Sequence, residues 1–284
     1  MTQVTAAMVK ELRVRTGVGM GKCKEALEEA KGDMELAISN LRKAGIAQAV
    51  KKEGRETKEG AIGTAETDKA IAIVEINAET DFVVKNEKFQ HFLREMATEI
   101  ANTNPQSIDS FLSQKASQDT SLTIDQYRAT IVHSLGENLK IQRFAIIPKT
   151  DDNSVAVYLH MGGKIASVVE ITGATGEEAL CKDIAMHAAA EAPQYLVESE
   201  VPAEVKAQEE DIGRAQVQGK PENVIEKIVQ GKLNAFYDQV CLARQKFIKD
   251  PSLSITQLVE KRGKEVGKTL TLKRFIRWQV GEAV

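Results

Sequence analysis

The chain has 284 residues, 42% of them hydrophobic and 28% charged, with a formal charge of −3 and a pI near 6.0. Such a length and composition suit a globular protein of two or more domains and exclude a disordered chain. The slight acidity leaves no overall basic field, which argues against a protein whose main task is holding nucleic acid, though not against a local basic patch. No run of about 18 apolar residues is present, as a membrane span requires, and the opening MTQVTAAMVKELRVR lacks an apolar core of signal-peptide length, so a cytoplasmic location is expected. Cys23, Cys181 and Cys241 are odd in number, far apart and without a CxxC pair, which points to reduced, buried thiols and not to a disulfide framework or a zinc site.

The first segment has the punctuation of three short helices. Thr5 is placed to cap the first, in which Met8, Val9 and Leu12 share a face and Gly17 marks the end. The second carries Cys23, Ala26, Leu27 and Ala30 at helical spacing and stops at Gly32; Asp33 then caps a third that presents Leu36, Ala37 and Leu41. The pattern TGVGMGKCKEALEEAKGDMELAISNLR resembles the ubiquitin-associated type of three-helix domain, and residues 1–55 are expected to form such a headpiece. From Arg42 the sequence turns rich in Lys, Glu, Gly and Thr and poor in large apolar residues. Residues 56–68 read as a linker, and whether the third helix continues through Lys51 stays open.

The middle of the chain repeats itself. Val74-Glu75-Ile76 returns as Val169-Glu170-Ile171, and the helical stretch FLREMATEIA from 92 answers LCKDIAMHAAA from 180, each followed by a proline, Pro105 or Pro193. Further on, GENLKIQRF at 136–144 matches GKTLTLKRF at 267–275 at Gly, Leu, Arg and Phe. Both pairs occur in the same order, so the economical fold class is α+β: a duplicated unit with antiparallel sheets, one copy at 69–148 and one at 149–284. Leu139, Ile141 and Arg143 alternate onto one strand face, and AVYLHM with IASVVEI is expected to form a hairpin across Gly162-Gly163. Thr175 and Glu178 have the spacing of a capping box for the helix that follows. The second copy alone carries an insertion, placed at 200–248, where a polar segment, a Gly219-Lys220-Pro221 turn and a stripe of Ile225, Ile228, Val229, Leu233, Phe236 and Val240 predict an antiparallel helical hairpin of coiled-coil type. That stripe reads as packing and not as a ligand box.

Enzyme signatures are lacking. Gly17-Val-Gly-Met-Gly21-Lys22 looks superficially like a phosphate loop but follows a helix, whereas such a loop follows a strand. His91, His133, His160 and His187 have no metal spacing, and no GxSxG elbow offers a nucleophile. His187 admits two readings: a histidine covering the edge of the core, or a partner contact that tolerates an apolar interface while offering a hydrogen bond. NAETDFVV, residues 77–84, also admits two. In one, Asp81 caps the next turn and Phe82 packs inward. In the other, Phe82 stands on a short loop between a strand and a helix that already supply the core, and is held outward as an interface wedge.

LRVRTGVGMGKCKEAL, GDMELAISNLRKAG, ETDFVVKNEKF, IAMHAAAEAP, QGKPENVIEKIVQGKL and FIRWQVGE, in this order over essentially the whole chain, closely resemble the bacterial elongation factor Ts family. The resemblance implies a guanine-nucleotide exchange factor, not an enzyme, whose partner is the translation GTPase elongation factor Tu, with no cofactor, bound metal, nucleic acid or membrane of its own. It assigns Asp81 and Phe82 to an intrusion beside the nucleotide site that dislodges the partner's magnesium ion, with Thr80 and Val83 shaping the loop. It further assigns Arg13 and Met20 to a headpiece contact and Ile165, Ala166 and His187 to a core contact. At 166 an alanine stands where some relatives are expected to carry glycine, so a close backbone approach is less clearly implied there. Three other classes compete: a generic binding module built on the headpiece, an enzyme using Asp81 as general base, and RNA binding. The second lacks an acid or nucleophile partner. The third is disfavoured because KKEGRETKEG carries glutamates and no interleaved aromatics.

Overall fold

Capping residues and glycines set the first three helices where the local sequence puts them. In the computed structural model, which describes residues 4–217, 219 and 221–283, helices α1 (Ala6–Thr16), α2 (Met20–Glu29) and α3 (Met34–Lys52) come first. Thr5 accepts the Met8 amide at 3.3 Å, Asp33 accepts the Leu36 amide at 3.0 Å, and Gly17 ends α1 with φ +67°. Leu12, Cys23, Leu27, Ala37, Ile38 and Leu41 close a small apolar core. Leu36, expected inside, is 47% exposed, and Ile38 takes the inner face in its place.

The stretch read as a tether is ordered structure. Helix α3 continues to Lys52, and strand β1 (Glu59–Glu66) occupies most of residues 56–68. The composition misled because small residues serve here as close-contact positions. A Cβ at Gly45 would lie 3.3 Å from the His133 Cβ, one at Gly60 would come within 2.6 Å of the Ile76 carbonyl, and one at Gly63 within 2.7 Å of Leu93. A helix and a strand that approach their neighbours this closely have no room for the large apolar residues that mark buried segments.

After β1 come β2 (Ala70–Ala78), α4 (Asp81–Val84), α5 (Glu87–Thr103), α6 (Ile108–Ser113), β3 (Lys115–Ala116), β4 (Asp119–Thr123), α7 (Ile124–Leu135) and β5 (Leu139–Pro148). Strand β2 is buried along its whole length between β1 and β5. Phe89, Phe92, Met96 and Ile100 of α5 pack on this sheet with Phe111, Ile124 and Leu139. The second series runs β6 (Asn153–His160), β7 (Ile165–Thr172), α8 (Glu178–Glu191), α9 (Ala203–Ala215), α10 (Glu222–Val240), β8 (Lys246–Phe247), β9 (Asp250–Ser254), α11 (Ile255–Val266) and β10 (Thr271–Gln279). Its sheet has β7 between β6 and β10, antiparallel throughout, and its core joins Val169, Ile171, Ile184, Leu242, Phe247 and Ile255.

Both sheets therefore share one order, and the repeated residues have repeated jobs. Glu75 of the first VEI pairs with Arg143 at 2.7 Å, and Glu170 of the second pairs with Arg274 at 2.7 Å, so each glutamate is matched by the arginine of its own RF motif. Helices α5 and α8 end on left-handed residues, Asn104 and Ala192, immediately before Pro105 and Pro193. The duplication also covers DTSLTIDQ and DPSLSITQ. In each, an Asp oxygen receives the amide two residues on, and a Thr123–Gln126 or Ser254–Gln257 capping box starts the next helix.

Three sequence expectations need correction. The hairpin ends at Val240, because 246–254 is the counterpart of 115–123 and belongs to the repeat. Arg214 at the end of α9 bonds Glu222 at the start of α10 at 2.8 Å, which makes the pair antiparallel; the expected Gly219-Lys220-Pro221 turn falls in part, at Lys220, outside the described residues. Thr175 does not cap α8: Glu177 occupies the cap position and receives Arg262 at 2.7 Å. The chain divides into two units, 1–147 with 280–284, and 148–279, so the last residues belong with the first copy and not the second. There the Gly281 amide donates to Glu75 at 3.2 Å.

Candidate functional site

Residues 80–84 form one helical turn and not a loop. Its first hydrogen-bonding side chain is Thr80, which accepts the Val83 amide at 3.4 Å; Asp81 is the first helical residue and not the cap. The turn's apolar inner side, Val83 and Val84, joins the first core. A single turn of helix cannot bury both sides, so the residue opposite Val83 and Val84 must face out. Phe82 is 81% exposed. Asp81 lies beside it, its Oδ2 receiving Lys85 Nζ at 2.7 Å, and this bond raises the Lys85 pKa.

An isolated turn of four residues has no stability of its own, and here it is pinned from outside. Glu137 takes the Thr80 hydroxyl on one carboxylate oxygen at 2.7 Å and the Thr80 amide on the other at 3.0 Å. Glu79 accepts the Asn138 amide at 2.7 Å and pairs with Arg55 at 3.4 Å. Asn138 donates to the carbonyls of Glu53 and Arg55, and Lys52 donates to the carbonyl of Gly136. Burial, followed by the charge of Arg55, lowers the Lys52 pKa. Lys52, Glu79, Glu137 and Asn138 escaped the sequence reading. The available signal was a mismatch within the repeat: Glu137 and Asn138 stand where the second copy has Lys268 and Thr269.

Between headpiece and first core runs an open groove lined by Thr16, Gly17, Lys85, Lys88, Arg94 and Ser134. Lys88 Nζ donates to the Gly17 carbonyl at 2.6 Å and to Ser134 Oγ at 2.7 Å. Burial, then the charge of Arg13, lowers its pKa. Arg13 is exposed at the end of α1, and Met20, 41% exposed, begins α2 just beyond Gly17. The structure thus places the α1–α2 turn and Lys85, the partner of Asp81, on the same groove.

In the second unit the expected contact residues differ from one another. Ile165 starts β7 half-buried, but the Ala166 side chain is fully covered, opposite Leu159 and Trp278 in the sheet. His187, which the resemblance assigns to the same contact, is also fully buried in the free chain. Its Nδ1 accepts the Ile248 amide at 3.3 Å, leaving Nε2 to donate to Gln245 Oε1 at 3.0 Å. This is the neutral tautomer, and burial lowers the pKa accordingly. The imidazole ties Gln245 and Ile248 on either side of β8, which agrees with the reading of His187 as a histidine covering the core.

Among the described residues, no helix is long and apolar enough to cross a membrane. A family model described as Elongation factor TS matches residues 79–282. A protein named Elongation factor Ts from Protochlamydia amoebophila (strain UWE25) is 64% identical over 282 residues, 99% of this chain and 100% of the relative. Proteins of the same name from Chlamydia caviae and Chlamydia muridarum are 44% and 43% identical over 281 residues, in each case 99% of this chain and the relative's full length.

Proposed function

The chain belongs to the elongation factor Ts family, and from that membership we propose that it is a cytoplasmic guanine-nucleotide exchange factor for the translation GTPase elongation factor Tu. The single observation that supports the reading best is Phe82, 81% exposed on a short turn whose other side is built into the core. A large aromatic carried in water on a tied-down turn costs little backbone freedom on binding and gains its whole buried area, which suits an interface anchor.

Exchange needs no covalent step. A factor that binds nucleotide-free Tu more tightly than GDP-bound Tu weakens GDP by the same ratio, because coupling between two ligands is reciprocal. Phe82 fills a gap between Tu's elements that exists only in the opened form, and Asp81 rearranges polar groups beside the magnesium ion. The ion neutralises phosphate charge, so displacing it leaves the diphosphate held by fewer compensating charges. Burial of Phe82 contributes about 1.5–3 kcal/mol, roughly tenfold to hundredfold in affinity. Thr80 and Val83 shape the turn. Arg13 and Met20 add a headpiece contact, and Ile165 a contact from the second unit, where Ala166 and His187 act by supporting the surface around them. The headpiece is of ubiquitin-associated type, and α9 with α10 forms a short coiled coil that extends the contact.

The test is release of a fluorescent GDP from Tu with and without this protein. Acceleration that falls sharply with Phe82→Ala is expected; unchanged release in the presence of the unmutated chain refutes the reading.

A further inference from the structure

The two copies of the repeat share their sheet order, their Glu–Arg pair and their capping boxes, yet only the first carries a helical turn after its central strand. After β7 the chain runs without helix to α8, whereas after β2 it forms α4. The accompanying difference lies in the turn before the last strand: Gly136-Glu137-Asn138-Leu139 in one copy, Gly267-Lys268-Thr269-Leu270 in the other. Among side chains only a carboxylate presents two separate acceptor oxygens, both charged, and Glu137 uses one on the Thr80 amide and the other on its hydroxyl. A lysine has no acceptor. The Glu137 turn is in turn held by the end of α3, through Lys52 to Gly136 and through the Glu53 and Arg55 carbonyls to Asn138.

We propose that Glu137 is a positioning residue for nucleotide exchange: its bidentate hold on Thr80 fixes the direction in which Phe82 leaves the surface, so that the aromatic meets its partner already oriented. Glu137 makes this contribution through Phe82 and touches neither nucleotide nor magnesium. The inference rests on the exchange reading above. Without the clamp, Thr80 keeps its cap to Val83, and Val83 and Val84 keep their place in the core, but the amide and hydroxyl of Thr80 are left to water and the turn samples other orientations.

A double-mutant cycle tests the proposal. The unmutated chain, Glu137→Ala, Phe82→Ala and the double variant are each added to Tu loaded with fluorescent GDP, and release rate and affinity for nucleotide-free Tu are measured. With Phe82 present, Glu137→Ala is expected to slow stimulated release about tenfold, the scale of losing a charge-assisted bidentate contact. In the Phe82→Ala background the same change is expected to cost less than about twofold, since the residue it positions is gone. Glu137→Gln keeps one acceptor oxygen in the same shape, serves in the same cycle as the variant that disturbs the fold least, and is expected to slow release less than Glu137→Ala. Equal losses in both backgrounds would mark a general structural role and overturn the proposal; so would a Glu137→Ala or Glu137→Gln rate equal to that of the unmutated chain. If the unmutated chain itself leaves GDP release unchanged, the exchange reading and the clamp fail together, which separates that outcome from failure of the clamp alone.

Discussion

Phe82 and His187 show opposite uses of an amphipathic surface at the residue scale. Phe82 contributes nothing to the core, so Phe82→Ala is expected to change the free chain's stability by no more than about 0.5 kcal/mol while weakening affinity for nucleotide-free Tu by about tenfold to hundredfold. Thermal melts together with a binding titration check this; a large loss of stability would show that the ring packs inward after all. His187 does the reverse, spending its hydrogen bonds inside. Its folded pKa lies below the ordinary 6.5, through burial opposed by Gln245 and Glu191, and that of His133 is lowered likewise by burial and by Lys22 and Lys52. The sign follows directly. Above pH 6.5 both states hold a neutral ring; below it the unfolded chain takes up the proton first, so stability falls as pH falls, by at most about 1.4 kcal/mol per pH unit for each histidine. Urea titrations at pH 7.5 and 5.5 are expected to show this loss, and an NMR shift of a charged His187 ring at pH 6 would contradict it.

The repeated Glu–Arg pair is the clearest case of element-scale design. In a strand buried on both faces, a charge survives only with a matched partner and further hydrogen bonds. Glu75 is almost fully covered and has Arg143, Asn77 and the Gly281 amide; Glu170 has Arg274 and Asn153. Arg143→Ala strands a buried carboxylate and is expected to cost about 3–5 kcal/mol. Arg274→Ala is expected to cost less, because the Arg274 side chain is 41% exposed and water reaches the pair. Chemical denaturation of the two variants decides the order, and equal costs would show that burial does not set it. The VEI and RF motifs were visible as a repeat in the sequence, but not as partners, since they lie 68 residues apart in the first copy and 104 in the second. Pairing across that separation is set by strand register.

At the scale of the whole molecule, each of the two units has an apolar core of its own, one centred on Phe89, Phe92 and Met96, the other on Ile171, Ile184 and Leu242. Unfolding is therefore expected to depart from a single all-or-none step, with a calorimetric enthalpy exceeding the van't Hoff value. Ile184→Ala, removing a fully buried side chain of the second core, is expected to destabilise that unit by about 2–5 kcal/mol and lower one component of the transition while leaving the other in place. A single transition that shifts as a whole would contradict this.

By itself the sequence determined whatever depends on residues close along the chain: the Thr5 and Asp33 caps, the Gly17 stop, the hairpin across Gly162-Gly163 and the existence of a repeat. These follow from backbone sterics and from periodicities that a few neighbouring side chains carry. Tertiary structure alone decided that the Lys-, Glu-, Gly- and Thr-rich stretch after Arg42 is a docked helix and strand, which of its two readings His187 follows in the folded chain, and that Glu137 grips Thr80 from 57 residues away. Each of those outcomes depends on how near a distant backbone comes. Composition cannot tell a small residue that is idle from one that makes room, nor a carboxylate in water from one closing a ring across the fold.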